Sequence, residues 1–405
     1  MSRGVNISSA HRQNRALILR LILQNPEISR AKLAEMTHLT AASISNITHS
    51  LMEDRWIEES GTIDSVGIAG RKSIGLTIRR DYYRVLAIHM HRKGVSVGLC
   101  RLNGTIAEQK DLFWEESEYP HPTQLAHDIK DIVTALAESS ETPQAVLGIS
   151  VGSTGIVDAH RGIVYASLPY QWENIDWGNT LHRLTRYPVI IDNNARGMAL
   201  AEILFGQHTA TSWLVFLFAG WGTGLGVIAN GAIFRGSRGV GGELGHVSIN
   251  WQGELCWCGN RGCLEVYLNQ NRVLSMLGVT SPEEMPAALA QAPPRILQEL
   301  SETLATALVS IVNIYNPSTI VVGGWLDNAW PLLKQPVMDL VTERIRYWKT
   351  PLVQVVPSSF GPAAGLLGAS AIGLDEWVYG QGAYLWNHFP HVAAMAPGPQ
   401  DEIND

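Results

Sequence analysis

The chain has 405 residues, of which 46% are hydrophobic and 17% are charged. This length predicts two or three domains, and the composition excludes a mainly disordered chain. The formal net charge of −7 argues at first against a nucleic-acid partner, but the charge is uneven. Residues 1–80 contain 11 Lys and Arg against 7 Asp and Glu, a net charge of +4, whereas residues 81–405 have a net charge of −11. A basic head on an acidic body indicates that the head binds nucleic acid.

Targeting signals and cysteine usage indicate a cytoplasmic protein. The apolar run at residues 16–23 is interrupted by Arg20 and is followed by no small-residue cleavage site, unlike a signal peptide. No uncharged apolar stretch reaches about 18 residues, so we expect no membrane partner. Three of the four cysteines fall within eight residues. This clustering is typical of a metal site in a reducing compartment rather than a disulfide framework.

The basic head, residues 1–80, begins with three helical patterns, at residues 14–24, 30–37 and 41 to about 54. Ser29 and Thr40 precede the second and third patterns and are predicted N-caps. Two short helices joined by a tight turn, the second with small and polar residues on its outer face, are typical of a helix-turn-helix. The alternative is a small helical bundle that binds another protein.

Two β-like runs, at residues 56–60 and 74–78, flank a glycine-rich tip and predict a wing behind these helices. A basic tip is suited to a phosphate or to the minor groove. Asn46 is suited to read adenine, and Ser43 or Ser45 to contact bases or phosphates. The candidate DNA contacts are Arg30, Thr40, Ala42, Ser43, Ser45, Asn46, His49, Arg71 and Lys72.

After residue 80 the pattern changes to strands mixed with helices, which predicts an α/β body. Its length predicts two lobes with a ligand cleft. Strands 85–89 and 95–102 are expected to pair and to be closed by Asn103-Gly104. The other predicted strands are 145–151, 188–191, 213–219, 224–229 and 319–322, and the predicted helices are 125–137, 199–205 and 299–315.

A cysteine-rich motif predicts a metal site in the body. Cys256, Cys258 and Cys263 follow His246 by 10 to 17 residues. One imidazole and three thiolates satisfy tetrahedral Zn²⁺, and a full set of protein ligands predicts a structural rather than a hydrolytic ion. The alternative is a set of reduced structural thiols.

Three further motifs suggest ligand binding. The glycine-rich segment 220–226 suits either a phosphate cradle or a hairpin that needs positive φ. Asp192-Asn193-Asn194 suits either sugar hydroxyls or a helix cap. Glu243 and His246, with Glu265 beyond the cysteines, make a candidate hydroxyl clamp, although each acid is also explained as a surface charge.

Together these segments resemble the ROK family (repressors, open reading frames, kinases). The match rests on GGELGH at 241–246 and CWCGNRGCLE at 256–265, with supporting segments at 220–226, 313–324 and 365–369. The basic head is similar to that of ROK transcriptional regulators of the NagC/XylR type. The resemblance implies a winged helix-turn-helix (1–80) followed by an actin-like, two-lobed sugar-kinase body. The lobes are expected at 81–191 and 192–375, followed by a partly disordered C-terminal extension, 376–405, with a short helix near 383–389.

The resemblance also implies site residues. Zinc is expected on His246, Cys256, Cys258 and Cys263. The implied sugar-binding residues are Gly155, Asn193, Asn194, Glu243, His246 and Glu265. His246 thus serves both the metal and the sugar.

Two departures from the family kinases predict that the body binds a sugar without phosphorylating it. The kinases carry an Asp-x-Gly-Gly-Thr phosphate loop, whereas this chain has HMHRKG at residues 89–94. Their Asn-Asp pair becomes Asn193-Asn194, and an amide cannot act as the general base. Asp192 lies two residues early, where strand geometry turns it elsewhere. We therefore expect no enzymatic activity.

The leading hypothesis is a sugar-responsive regulator, expected to repress carbohydrate-metabolism genes. It predicts a homodimer or dimer of dimers on a double-stranded DNA operator, and a sugar or sugar-phosphate effector that favours one arrangement of the heads. One alternative is an ATP-dependent sugar kinase with a DNA-binding appendage. Another is a regulator controlled by a partner protein, for which Trp257 offers an aromatic anchor.

Overall fold

The computed structural model describes residues 7–64, 72–115, 119–139, 145–208, 211–345 and 353–380. These residues divide into two units. Unit 1 comprises the described residues within Met1–Asp192 and Ala369–Asp405, and unit 2 is Asn193–Gly368. Among the described helices, none combines the length and the apolar character needed to cross a membrane.

The described part of the chain mixes runs of helices with runs of strands. The helices are α1 (Ile7–Gln24), α2 (Arg30–Thr37), α3 (Ala41–Glu53), α4 (Pro122–Glu138), α5 (Trp177–Thr185), α6 (Asn194–Phe205), α7 (Leu264–Leu268), α8 (Gln270–Leu277), α9 (Met285–Ala290), α10 (Pro294–Tyr315), α11 (Leu326–Arg344) and α12 (Ala364–Leu374). The strands are β1 (Ile28–Ser29), β2 (Ile57–Asp64), β3 (Lys72–Ile78), β4 (Arg84–His91), β5 (Gly94–Arg101), β6 (Ile106–Phe113), β7 (Val146–Ser153), β8 (Ile156–Asp158), β9 (Ile163–Ser167), β10 (Trp172–Asp176), β11 (Val189–Asn193), β12 (Trp213–Ala219), β13 (Thr223–Ala229), β14 (Ala232–Ile233), β15 (Thr319–Gly324) and β16 (Gln354–Pro357).

The N-terminal segment contains three helices and an antiparallel sheet of order β1-β3-β2. The Ser29 hydroxyl accepts from the Lys32 amide and begins α2, and the Thr40 hydroxyl accepts from the Ser43 amide and begins α3. Both caps satisfy amides that a helix start leaves without a partner. The helices enclose a core to which α3 contributes three fully or almost fully buried aliphatic residues, Ile44, Ile47 and Leu51.

Helix α1 attaches this segment to the rest of unit 1. It packs on α2, α3 and β3, and also on the π-helical turn Asp375–Tyr379. Arg15 of α1 donates to Ser50 Oγ at 2.6 Å and to Asp54 Oδ2 at 2.7 Å. Residues 7–64 and 72–80 fall in unit 1 together with the main sheet of that unit.

The main sheet of unit 1 has the strand order β11-β7-β4-β5-β6. β5 is antiparallel to both β4 and β6, and β7 is parallel to β4. The register pair His91–Gly94 shows that β4 and β5 are closed by Arg92-Lys93. Asn103-Gly104 was predicted to close the β4–β5 pair, and that prediction was wrong. These two residues instead lie between β5 and β6, an edge strand with many exposed polar residues.

Unit 2 repeats this arrangement with the order β14-β13-β12-β15-β16. In both sheets the first strand in the chain is central, with the second and third on one side and the fourth and fifth on the other. β13 is antiparallel to β12, whereas β15 is parallel to β12 and β16 to β15. The core of unit 2 lies among this sheet and buried residues of α7 to α11.

The C-terminal end of the described chain returns to unit 1. Tyr379 donates its hydroxyl to Leu102 O at 2.8 Å, and a side chain at Gly148 would meet the Trp377 ring at 2.6 Å. Residues 369–380 thus belong to unit 1, where Trp377 and Tyr379 pack against the first sheet and its following turn. The helix predicted near 383–389 lies outside the described residues.

Candidate functional site

Four side chains of unit 2 form a cluster that could hold a metal ion. Each of His246, Cys256, Cys258 and Cys263 offers one ligand atom, and all four atoms lie within 4.8 Å of one another. The Sγ atoms of Cys258 and Cys263 are 3.6 Å apart, and Cys256 Sγ is 3.8 Å from His246 Nδ1. Metal–sulfur and metal–nitrogen bonds of about 2.3 and 2.0 Å require tetrahedral edges of roughly 3.5 to 3.8 Å. Two of the six edges of the cluster therefore have the length expected of a tetrahedral metal site, and the remaining distances are no longer than 4.8 Å.

The chain forms this cluster by folding residues 246–263 back on themselves. Isolated β-bridges pair Ser248 with Cys263 and Leu255 with Arg261. Gly262 has φ of +64°, and a Cβ there would lie 1.7 Å from the Asn250 carbonyl oxygen. Only glycine fits such a position, so the spacing of the last two cysteines depends on it.

Glu265 connects the metal cluster to the glycine-rich segment 220–226. Its Oε2 accepts from the Thr223 amide at 2.8 Å, and its Oε1 accepts from Trp257 Nε1 at 2.5 Å. A Cβ at Gly222 would lie 3.1 Å from Oε2. The carboxylate therefore ties the β12–β13 turn to the loop that carries the cysteines.

The glycines of this segment are explained by close packing. Ala219 pairs with Thr223 across a tight hairpin, as one of the two interpretations expected, but none of the four glycines in this described segment has the positive φ which that interpretation required. A Cβ at Gly226 would lie 2.2 Å from the Ala195 carbonyl oxygen of α6. The hairpin thus brings α6 against β13, and with it the Asn193-Asn194 pair toward the same part of unit 2.

Asn193 and Asn194 lie at the beginning of α6. Asn193 Oδ1 accepts from the amides of Ala195 and Arg196, at 2.9 and 3.4 Å, and is the N-cap. Asn194 Oδ1 also accepts from the Ala195 amide, at 2.8 Å. Both side-chain oxygens contact backbone, so the helix-cap interpretation of Asn193 holds in this structure.

Glu243 is the most strongly perturbed carboxylate of the group. Although part of the residue is exposed, the protein around its carboxylate excludes water and raises its pKa. Positive charge on His246 and Arg196 opposes that increase, and the negative Glu265 adds to it. The charges of His246 and Glu265 therefore both act on the Glu243 carboxylate.

Gly155, the remaining sugar-site candidate, lies in unit 1, in the turn between β7 and β8. Its φ is +87°, and a Cβ there would lie 2.1 Å from the Ala166 carbonyl oxygen. Packing within unit 1 therefore requires glycine at this position.

The candidate DNA contacts on α3 form an exposed face. Ala42, Ser45, Asn46 and His49 are exposed and follow helical spacing, whereas Ser43 is half-buried beside Thr40. The other candidates are outside this face. Arg30 donates to Thr48 Oγ1 and Glu59 Oε1, both at 3.2 Å, Lys72 is exposed at the start of β3, and Arg71 lies outside the described residues.

Sequence reasoning missed two residues that shape the clamp. Arg196 is buried and donates to the Gly241 carbonyl at 3.4 Å, which places its charge beside Glu243. Its position one helical turn after the Asn193 cap was the available signal. Thr223 acts through its backbone amide, and no side-chain pattern predicts such a contact.

The family model that matches this chain is that of the ROK family, over residues 87–376. The xylose repressor of Bacillus subtilis (strain 168) is 28% identical, over 90% of this chain and 96% of its own length. NagC of Escherichia coli (strain K12), a DNA-binding transcriptional dual regulator, is 27% identical over 86% of this chain and 89% of its own length.

Solved structures show the same fold. A ROK family transcriptional regulator homologous to the E. coli MLC protein covers 93% of this chain and 98% of its own, with a TM-score of 0.76 and 27% identity. A ROK glucokinase from Streptomyces griseus, with glucose and AMPPNP, covers 71% of this chain and 98% of its own, with a TM-score of 0.59 and 22% identity. The mixed α/β fold is thus that of ROK sugar kinases.

Proposed function

The chain belongs to the ROK family, and from this premise we propose that it is a sugar-responsive, DNA-binding transcriptional repressor of carbohydrate-metabolism genes. The proposal rests on the share of the chain that repressor relatives match, compared with the share that a kinase structure matches. Repressor relatives match 90% of the chain, whereas the ROK glucokinase matches 71%. The kinase likeness shows the fold, and a match over 90% of the chain leaves about 40 residues unmatched, so the repressor likeness extends into the basic N-terminal segment.

We propose that residues 1–80 are a winged helix-turn-helix in which α3 is the recognition helix. The exposed face with Ala42, Ser45, Asn46 and His49 supports this assignment. A recognition helix lies in the major groove, where Asn46 is suited to contact adenine. Two copies are expected on a double-stranded operator, as a dimer or a dimer of dimers.

We propose that the cluster of His246 and three cysteines holds a structural Zn²⁺. The edge distances near 3.6 Å and the N/S donor set support zinc. Since all four coordination positions are filled by protein, the ion would fix the loop rather than activate water. His246 Nδ1 faces the cluster, so Nε2 is the nitrogen that remains for a sugar hydroxyl.

We propose that Asn193, Asn194, Glu243, His246 and Glu265 bind the sugar or sugar phosphate. Two features support binding without phosphoryl transfer. The turn between β4 and β5 is the cationic pair Arg92-Lys93. Packing against β6 accounts for the glycine at position 94, since a Cβ there would lie 2.2 Å from the Leu112 carbonyl oxygen. Asn194 cannot accept the sugar proton as an Asp would.

The test uses full-length, metal-replete protein and a sugar panel that includes D-xylose and N-acetyl-D-glucosamine. We expect at least one sugar to raise the melting temperature and to weaken binding to an operator obtained by in vitro selection. Asn46→Ala should abolish operator binding and leave the sugar response intact, whereas the exposed Gln124→Ala on α4 should change neither.

Two results would redirect the proposal. ATP-dependent phosphorylation of a hexose would make the chain a kinase. An operator complex that no sugar or sugar phosphate alters would favour control by a partner protein. Glu243→Gln should weaken sugar binding more than the exposed Glu173→Gln does, which locates the response at the clamp.

A further inference from the structure

The loop that carries the metal cluster also carries Trp257, whose indole contacts both the cluster and the clamp. Trp257 stands between Cys256 and Cys258 and is 50% exposed. Its ring meets the His246 imidazole edge-on, with centroids 4.9 Å apart and an interplanar angle of 84°. Its Nε1 donates to Glu265 Oε1 at 2.5 Å.

These contacts hold Glu265 from two sides. The Thr223 amide donates to Oε2, and the Trp257 indole donates to Oε1. Hydrogen bonds to a carboxylate are charge-assisted and stronger than neutral ones, so the pair fixes the orientation of this flexible side chain. Each carboxylate oxygen accepts more than one hydrogen bond. Both oxygens therefore keep capacity for a sugar hydroxyl while the protein orients them.

We propose that Trp257 is a positioning residue that couples the metal cluster to the sugar-binding carboxylate. A metal bound by Cys256 and Cys258 fixes the backbone on both sides of Trp257, and the indole in turn fixes Glu265. Metal occupancy thereby sets the affinity for the effector, although Glu265 is not one of the four metal ligands. The inference rests on the proposed sugar site and goes beyond it by making the regulator conditional on its metal.

The first test observes the coupling without any sugar. Full-length, metal-replete protein is labelled with 5-fluorotryptophan, and Trp257→Phe assigns the Trp257 fluorine resonance among the 13 tryptophans. Chelation of the metal and Glu265→Gln should each shift that resonance. The resonance of Trp251, which is 78% exposed in the same loop and is assigned by Trp251→Phe, should not respond to Glu265→Gln.

The second test measures the affinity for D-xylose and N-acetyl-D-glucosamine by calorimetry. Trp257→Phe keeps the aromatic ring and removes the N–H donor. We expect it to weaken sugar binding about tenfold, as loss of a hydrogen bond to a charged group does. Trp251→Phe is the matched control and should stay within twofold of the wild type. After chelation, Trp257→Phe and the wild type should bind equally weakly.

The two tests separate the failure of this inference from the failure of the proposed function. A sugar that binds wild type and Trp257→Phe equally would overturn the coupling and leave the proposed sugar site standing. If neither sugar binds the wild type, D-xylose and N-acetyl-D-glucosamine are not its effectors. The fluorine spectra then test the coupling of Trp257 to the metal and to Glu265. A Trp257 resonance that ignores both chelation and Glu265→Gln then overturns it, even if Trp257→Phe itself folds poorly.

Discussion

Glu202 and Asp327 show how single carboxylates are held in the interior of unit 2. Glu202 is fully buried in α6 and accepts from the Ser358 hydroxyl at 2.7 Å and from the Ser359 amide and hydroxyl at 2.8 and 2.6 Å. Asp327 of α11 accepts from the Ser358 amide at 3.1 Å. Burial raises the pKa of Asp327 to about 6, and the negative charge of Glu202 adds to the increase. Both carboxylates therefore accept a hydrogen bond from Ser358, Glu202 from its hydroxyl and Asp327 from its amide.

The raised pKa of Asp327 predicts that part of the free energy of unfolding depends on pH, and that Asp327→Asn removes this part. The pKa of Asp327 is about 6 when folded and about 3.9 when unfolded, so the folded state binds more protons between pH 4 and 6. Stability from this group is therefore greatest below pH 4 and falls as the pH rises toward 6. We expect the stability of Asp327→Asn relative to wild type to increase by about 2 kcal/mol across that window and to level off above it.

Urea unfolding at half-unit pH intervals measures this profile. Asp339→Asn, on the same helix and exposed, is the control and should follow the wild-type profile. Parallel profiles for Asp327→Asn and wild type would show that Asp327 keeps its ordinary pKa. No sequence pattern predicts this behaviour, because the segment after β16 that contacts Asp327 lies 31 residues away in the chain.

At the scale of elements, the sequence predicts those that carry both a local start signal and a buried face. α2 begins at Arg30 as expected, and α3 begins at Ala41, because Ser29 and Thr40 provide caps. β12 has the predicted bounds because its residues are almost all buried, which gives a continuous apolar run. In these cases local chemistry and tertiary packing favour the same structure.

The elements that the sequence missed lack one of these signals. β6 is an edge strand with only three half-buried residues, so its charged residues conceal the alternation. β8 to β10 form a small separate sheet whose strands have three to five residues, too short for a periodic pattern. Their pairing depends on contacts with neighbours that no local window includes.

The candidate metal site was the most predictable part of the molecule, because its ligands are scarce residues close together in the chain. The structure brings His246 to the three cysteines as expected, within 4.8 Å. The hydrogen bonds from Trp257 and Thr223 to Glu265 were not predictable, since a side-chain rotamer and a backbone amide determine them.

Loss of the metal should make residues 246–263 more mobile and leave the neighbouring helix α10 unchanged. The loop has only short stretches of regular structure and two isolated bridges, so we expect the ion to supply much of its order. Chelation should accelerate amide exchange at least tenfold within residues 246–263, while α10 stays protected. Cys263→Ser should have the same effect, whereas Cys100→Ser should retain about one metal per chain. Hydrogen exchange with metal analysis checks both, and unchanged loop exchange would show that the thiols order the loop unaided.

For the whole molecule, the main surprise is that α12 and the turn after it, Asp375–Tyr379, return to unit 1. α12 begins in unit 2 and ends in unit 1, where Ser150 Oγ donates to the Ala369 carbonyl at 2.5 Å. The turn that follows α12 contacts α1, the first described helix. No helix was predicted over α12, and which sheet receives its end depends on long-range packing that no local pattern shows. The basic N-terminal segment is consequently anchored to unit 1.

This anchor predicts that the attachment of α1 depends on the electrostatic attraction between Arg20 and Asp375. Burial lowers the pKa of Arg20, and the negative charge of Asp375 opposes that effect. Asp375→Asn removes an attraction that a partly buried cation needs, so α1 should bind the Asp375–Tyr379 turn less firmly. We expect severalfold faster amide exchange in α1, unchanged exchange in α10, and an unchanged affinity for the effector sugar.

The consequence for regulation should appear at the operator. If α1 transmits the state of the body to the DNA-binding segment, Asp375→Asn should reduce the change in operator affinity that the sugar causes. Glu173→Gln removes an exposed negative charge from unit 1 and is the charge-matched control. The full chain is required, because a fragment ending at residue 80 would expose the body-facing side of α1. If Asp375→Asn accelerates amide exchange in α1 but leaves the full effect of the sugar on operator affinity, α1 does not transmit the state of the body to the DNA-binding segment.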